Sequence, residues 1–279
     1  MKPETVCTVV FSPTGTSKKI AEAVARGITS GAGAEALKTI DLTHAAAQSA
    51  MLPAGAVAVI AAPVYGGHVA PTAAKRLETL RGSGTPAVVI AVYGNRAFEK
   101  AAAELAALAA RQGFVPVAAA AFVGEHSYST PETPVAAGRP DAQDLARAAE
   151  FGAAVREKLA AGTTAPVDAA QLKDVRTPLV PMLRFIRFVA DYRRRQKRNP
   201  AVYLPACDAD RCTHCGRCTA VCPTQAIARG DEVHTDPARC IRCCACVKGC
   251  PVGARSFHTP FAAALARSFT RRKPPVTLL

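Results

Sequence analysis

Ten of the eleven cysteines lie between positions 207 and 250, and Cys7 stands alone far upstream. A thiolate can be a nucleophile, a redox centre or a metal ligand, and spacing discriminates among these. An odd number of cysteines concentrated in one stretch does not suit a disulfide framework and argues for metal. Cys212, Cys215, Cys218 and Cys222 follow the pattern C-x2-C-x2-C-x3-C, with Pro223 next. Cys240, Cys243, Cys246 and Cys250 repeat it, with Pro251 next. The repeat extends outward: Asp208-x-x-Arg211 matches Asp236-x-x-Arg239, and Ala226 matches Ala254, an internal duplication with a 28-residue period. Zinc ribbons use paired C-x2-C with no third cysteine at the same spacing and no x3-Cys-Pro, so the run is a poor match to them. Cys207 and Cys244 have no cysteine counterparts across the duplication and read as buried or free thiols. His214, inside the first cysteine loop, reads as a surface side chain.

A second group of residues carries a different chemistry. Ser12, Pro13, Thr14, Gly15, Thr16 and Ser17 follow an apolar run and open a helical pattern. Hydroxyls and free N–H groups at such a place can cradle a phosphate, and the helix dipole favours the anion. The loop is neither a Walker loop nor a G-x-G-x-x-G dinucleotide fingerprint. Two further loops end apolar runs: Pro63-Val64-Tyr65-Gly66-Gly67 and Tyr93-Gly94-Asn95-Arg96. Tyr65 and Tyr93 offer aromatic faces, and Gly66-Gly67 permits close backbone approach. Glu125 and His126 follow the next apolar run. They read first as a solvated loop. The rival reading, with Arg96, is a proton donor or substrate contact.

These loops need a scaffold. Strand patterns at 6–11, 36–40, 56–62, 87–92 and 115–123 alternate with helical patterns near 16–31, 71–80, 97–112 and 141–160. Short apolar runs feeding amphipathic helices predict a doubly wound five-stranded parallel sheet in the order 2-1-3-4-5, with all these loops at its carboxyl edge. The expected organisation is an α/β domain over 1–160, a linker over 161–205, a cysteine-rich α+β domain over 206–258 and a basic, partly disordered tail over 259–279. Within the linker, Met182, Phe185, Ile186, Val189 and Tyr192 share one helical face, and Arg184, Arg187, Arg194 and Arg198 line the other.

Formal net charge is +14, and residues 173–279 hold 20 basic and 7 acidic side chains against 15 and 14 before them. Base-reading or stacking elements do not accompany these charges, so nucleic acid is not an expected partner. No secretory h-region and no run of about 20 apolar residues is present, so a cytoplasmic protein without a transmembrane segment is expected. Residues 182–198 read as a helix docked on a domain with a solvated basic face. An acidic redox protein docking there, and contact with a membrane surface, are the alternatives.

The cysteine pattern resembles that of bacterial two-cluster ferredoxins. The loop Ser12-x-Thr14-Gly15-x-Ser17 resembles the flavodoxin phosphate loop, and the two later loops resemble those that sandwich its isoalloxazine. Taken together the chain resembles bacterial flavodoxin–ferredoxin fusion proteins, and it departs from flavodoxins in lacking the tryptophan that often flanks the ring. The resemblance implies two [4Fe-4S] clusters and FMN. It implies that Cys212, Cys215, Cys218 and Cys250 hold one cluster, and that Cys240, Cys243, Cys246 and Cys222 hold the other. It implies electron transfer between flavin and clusters, coupling one- and two-electron carriers. The alternative is a ferredoxin-linked FMN reductase of a quinone or enoyl-type acceptor.

Overall fold

The structure is a computed structural model, and it describes residues 5–30, 36–44, 50–53 and 55–279. Its chain divides into two compact units. The first comprises residues 1–125, 138–175 and 273–279, and the second comprises residues 126–137 and 176–272.

The first unit is an α/β layer structure. Parallel strands β1 (Thr5–Val10), β2 (Ala36–Asp41), β3 (Ala56–Tyr65), β4 (Thr85–Tyr93) and β5 (Phe114–Val123) lie in the spatial order β2-β1-β3-β4-β5. This is the flavodoxin-like arrangement of doubly wound sheets. The strands are rich in Val, Ile and Ala because helices cover both faces, so neither face needs polar alternation. Every residue of β4 is buried. Helices α1 (Thr16–Thr29) and α4 (Ala142–Ala160) pack together on one face, where Ile20, Val24, Phe151, Val155 and Leu159 meet Val6, Val57, Val88 and Phe122. Each such side chain taken from water contributes about 1.5–3 kcal/mol. Helices α2 (Pro71–Leu77) and α3 (Ala101–Arg111) complete the covering elements.

Two features differ from the sequence expectation. A sixth strand, β6 (Val276–Leu278), pairs antiparallel with β5 through the register Val276↔Ala121. The C-terminal end therefore closes the open edge of the sheet. Residues 163–175 are also docked: Val167 N donates to Pro116 O at 2.8 Å, and Ala169 and Leu172 are buried. A short apolar pair in a Pro-rich stretch was enough to anchor what composition marks as linker.

The second unit has two cores. Helix α5 (Leu179–Arg198) packs on α8 (Pro260–Ser268), with Phe185 against Phe269 at 5.0 Å and Phe188 against Phe261 at 5.1 Å between ring centroids. Val135 and Tyr128, from segment 126–137, join this aromatic cluster. The tail is thus a capped helix: Thr259 accepts the Phe261 N–H, and Pro260 opens the first turn. The packed face of α5 is Phe185, Phe188, Val189 and Tyr192, whereas Ile186 is 53% exposed. The helix is rotated from the expected face because Phe188, unlike Ile186, meets the aromatic row of α8. The other core holds α6 (Arg217–Val221), α7 (Ala245–Lys248) and the antiparallel pair Ala206–Cys207 with Arg255–Ser256.

The α1–α4 contact leaves no room for side chains at its closest point. A Cβ on Gly152 would meet Val24 O at 2.1 Å, and one on Gly27 would meet Ala149 O at 2.0 Å. Gly152→Ala is expected to destabilise the protein by about 1–3 kcal/mol through overpacking, read as a lower denaturant midpoint. An unchanged midpoint would show that the two helices can separate without loss.

Candidate functional site

The duplication survives in the backbone of the second unit. His214, Gly216 and Gln225 adopt positive φ in the first repeat, and Arg242, Cys244 and Gly253 do so 28 residues later. Gly216 and Cys244 are the left-handed residues that start α6 and α7. The surplus Cys244 therefore occupies the place that glycine fills in the first repeat. It is 1% exposed, and its thiol lies 3.7 Å from Arg242 O. The left-handed turns bend each loop so that three cysteines of a run line one hollow. After each helix the fourth cysteine turns away. Cys222 is extended before Pro223, which removes a donor and fixes φ. Its sulfur accepts the Ala226 N–H at 3.2 Å, and Cys250 accepts the Ala254 N–H at the same distance.

This turn mixes the two runs. Cys212, Cys215, Cys218 and Cys250 line one hollow, together with Cys207, Glu232 and Arg255. Cys222, Cys240, Cys243 and Cys246 line a second, together with Cys244 and Ile227. The hollows are electrostatically unequal. Burial, reinforced by neighbouring thiols, pushes Cys243 up to about 12 and Cys246 up to about 11. At Cys250 burial acts upward too, but N–H groups of residues 252–255 outweigh it and hold the thiol below its ordinary value. Thiols so disfavoured as free anions need a cation to ionise, and coordinated iron supplies one. The donor set, four thiols to each hollow, suits iron–sulfur clusters.

In the first unit, the loops after β1, β3 and β4 leave the carboxyl ends of three adjacent parallel strands. Ser12 Oγ accepts the Lys18 N–H at 3.0 Å, and Ser12 N donates to Thr43 Oγ1 at 2.9 Å. Gly15 is left-handed at φ 81° and starts α1, between half-buried Thr14 and Thr16. Ser17 Oγ is buried with no hydrogen-bond partner, an unmet polar atom in the loop read as a phosphate cradle. In the second loop, Pro63, Val64 and Tyr65 are half-buried, and space above left-handed Gly66 is open for at least 4 Å. Gly67 O accepts the Lys100 N–H at 3.0 Å.

The third loop departs from expectation. Tyr93 is 2% exposed and packs edge-on against Phe98 at 5.5 Å, so it presents no open face. As the last residue of a fully buried strand its ring turns into the core, where burial raises its phenol above the usual range. Asn95 is buried at φ 63°, after half-buried Gly94. Arg96 pairs with Glu99 at 2.5 Å, and Asp174 accepts the Phe98 and Glu99 N–H groups at 2.8 and 3.0 Å. Asp174 thus braces the loop from a stretch that sequence patterning offers as linker, and no periodic signal marks it.

Glu125, His126 and Arg96 are not gathered within one unit. Glu125 Oε2 accepts the Gly138 N–H at 3.0 Å in the first unit. His126 belongs to the second, where its Nδ1 accepts the Tyr128 N–H at 3.0 Å. His214 is paired rather than free: its Nδ1 lies 3.0 Å from the carboxylate of Glu232. Glu232 is 3% exposed, and the Gly230 N–H and His214 hold its carboxyl down to about 2. Sequence reading missed both Glu232 and Arg255. For Arg255 a signal existed, since it breaks the duplication at a position where the first repeat has Ile227.

Among the described residues no helix is long and apolar enough to cross a membrane. No curated protein matches the chain. Among solved structures, a flavodoxin from the domain Archaea is 16% identical, covering 56% of this chain and 99% of its own, with a TM-score of 0.34. The flavodoxin of Streptococcus pneumoniae is 17% identical, covering 55% and 97%, with a TM-score of 0.34. The flavodiiron core from Synechocystis is 16% identical, covering 58% of this chain and 37% of its own, with a TM-score of 0.37. The flavodoxin-like assignment rests on strand order and not on these scores. The family model of the 4Fe-4S dicluster domain matches residues 204–257, which supports 4Fe-4S cluster binding by this segment.

Proposed function

We propose that the protein is an electron carrier holding two [4Fe-4S] clusters in the cysteine hollows and FMN on the rim of the parallel sheet. The observation that carries this reading is the sorting of eight cysteines into two hollows, each drawing three from one run and the fourth from the other. Cys212, Cys215, Cys218 and Cys250 would ligate one cluster, and Cys240, Cys243, Cys246 and Cys222 the other. Bound FMN exchanges one or two electrons and each cluster one, so the pair couples the two regimes.

The chain's own residues would do the holding. The N–H groups and hydroxyls of Ser12, Thr14, Gly15, Thr16 and Ser17 would bind the phosphate at the positive end of α1. Pro63, Val64, Tyr65, Gly66 and Gly67 would lie along the ring, with Gly94, Asn95 and Arg96 opposite. Tyr93 would support that loop from beneath rather than stack. A reductase of small acceptors would need an acid or base poised over the rim. Arg96 is engaged by Glu99 and Glu125 by Gly138, which favours the carrier reading.

An acidic redox protein would dock on α5. Arg184, Arg187, Arg193, Arg194, Arg195, Lys197 and Arg198 are exposed on it, beside Leu183 and Ile186, 49% and 53% exposed. Charge would steer the encounter and the apolar pair would seat it.

Anaerobically purified protein is expected to contain about eight iron, eight acid-labile sulfide and one FMN per chain, measured chemically. Iron without flavin would remove the rim from the mechanism. Removing ligands one at a time tests the crossed sets. Cys222→Ala and Cys240→Ala are expected to lose the same cluster by electron paramagnetic resonance, and Cys218→Ala and Cys250→Ala the other. Pairing of Cys222 with Cys218 instead would overturn the assignment. Electron transfer to an acidic one-electron carrier is expected to slow as salt rises, and to slow less steeply in Arg187→Glu/Arg194→Glu. A salt-independent rate would remove α5 from docking.

A further inference from the structure

The duplication pairs each position of the first cysteine run with one in the second, and one pair breaks the pattern in charge. Ile227 is 2% exposed and packs with Cys218 and Cys246 in a small apolar cluster. Its counterpart 28 residues later is Arg255, 3% exposed. A guanidinium stays charged at any accessible pH, and burying that charge without a counter-ion is strongly unfavourable.

The protein only partly compensates it. Arg255 donates to Glu232 O at 2.8 Å and to the Thr235 hydroxyl, both neutral acceptors. Among the described residues none of the ion pairs includes Arg255. Its Nε–H is buried with no hydrogen-bond partner. The Glu232 carboxylate lines the same hollow but accepts from the Gly230 N–H and faces His214. Arg217, the other cation in that lining, is exposed.

Arg255 is fixed opposite Cys207 in the antiparallel strand pair and lines the hollow of Cys212, Cys215, Cys218 and Cys250.

We propose that Arg255 is a positioning residue, a built-in counter-charge that raises the reduction potential of the cluster held by Cys212, Cys215, Cys218 and Cys250. The inference rests on the cluster reading given above. Adding one electron makes a cluster more negative. A fixed cation in a water-poor site stabilises that reduced form more than the oxidised one, and local charge and hydrogen bonds to sulfur are what set cluster potentials. The iron–sulfur anion would in turn supply the charge that the buried guanidinium lacks.

The test compares full-length Arg255→Ile, which installs the residue of the other repeat, with Arg255→Lys, which keeps the charge. Both are read by iron and sulfide content and by redox titration followed by electron paramagnetic resonance. With full cluster content, Arg255→Ile is expected to lower at least one potential by about 59 mV, a tenfold change for one electron. Arg255→Lys is expected to retain most of the original value. Full clusters with unchanged potentials in Arg255→Ile would overturn the proposal, as would an equal shift in both variants. Should Arg255→Ile lose iron, Arg255→Gln takes its place as the uncharged variant under the same criteria. Unmodified protein without iron–sulfur clusters would overturn the cluster reading and this inference together.

Discussion

Two hollows ringed by thiols in so small a unit impose the constraint on which the second half of the structure depends. Apolar packing around them is thin: Cys218, Ile227 and Cys246 with Val247 form the cluster between α6 and α7. Small domains with little core need another source of stability, and bound metal is one of the few available. Burial makes Cys240, Cys243 and Cys246 poor anions on their own. The same burial becomes favourable once iron holds the thiolates. On the proposed cluster reading, folding of this unit and loading of its clusters are one event.

The constraint explains the backbone around the cysteines. Three ligands on a C-x2-C-x2-C loop must face one point. This requires left-handed residues at fixed places, and both repeats have them. Glycine fills one such place in the first repeat, while Cys244 fills its equivalent in the second at a cost of about 1–2 kcal/mol in backbone conformation. That cost is tolerated where Cys244 is buried against the second hollow. The first repeat instead leaves its surplus thiol, Cys207, on the short strand paired with Arg255. The duplication is thus symmetric in ligand geometry and asymmetric in what surrounds it.

Chain threading is the second organising fact. Neither unit is a continuous stretch: the chain enters the second at residue 126, leaves it after 137, and repeats this at 176 and 272. The sheet of the first unit is completed by β6 from the far C-terminal end. A buried pair holds the same region in place. Arg139 and Asp144 meet at 2.6 Å, and Arg139 also donates to Lys273 O at 3.1 Å. Truncation near residue 160 would remove an edge strand as well as a cluster-binding domain.

Much of this was legible in the amino-acid sequence. Apolar runs alternating with amphipathic helices determined a doubly wound sheet, because parallel strands covered on both faces must be apolar throughout. Cysteine spacing pointed to metal, because ligand geometry is local and a three-residue period brings thiols to one side of a turn. What followed from long-range packing was not legible. Ile186 and Phe188 fit a helical face equally well, and only the aromatic row of α8 selected Phe188. Tyr93 carries a ring that could stack on a ligand, but the full burial of its strand turned it inward. Asp174 and β6 lie in stretches of linker and tail composition, and they found partners about 75 and 155 residues away in sequence. Arg255 shows the difference most directly. Sequence placed a cation opposite an isoleucine across the duplication, and only the tertiary structure put that cation beside the hollow of Cys212, Cys215, Cys218 and Cys250 with a donor left unmet.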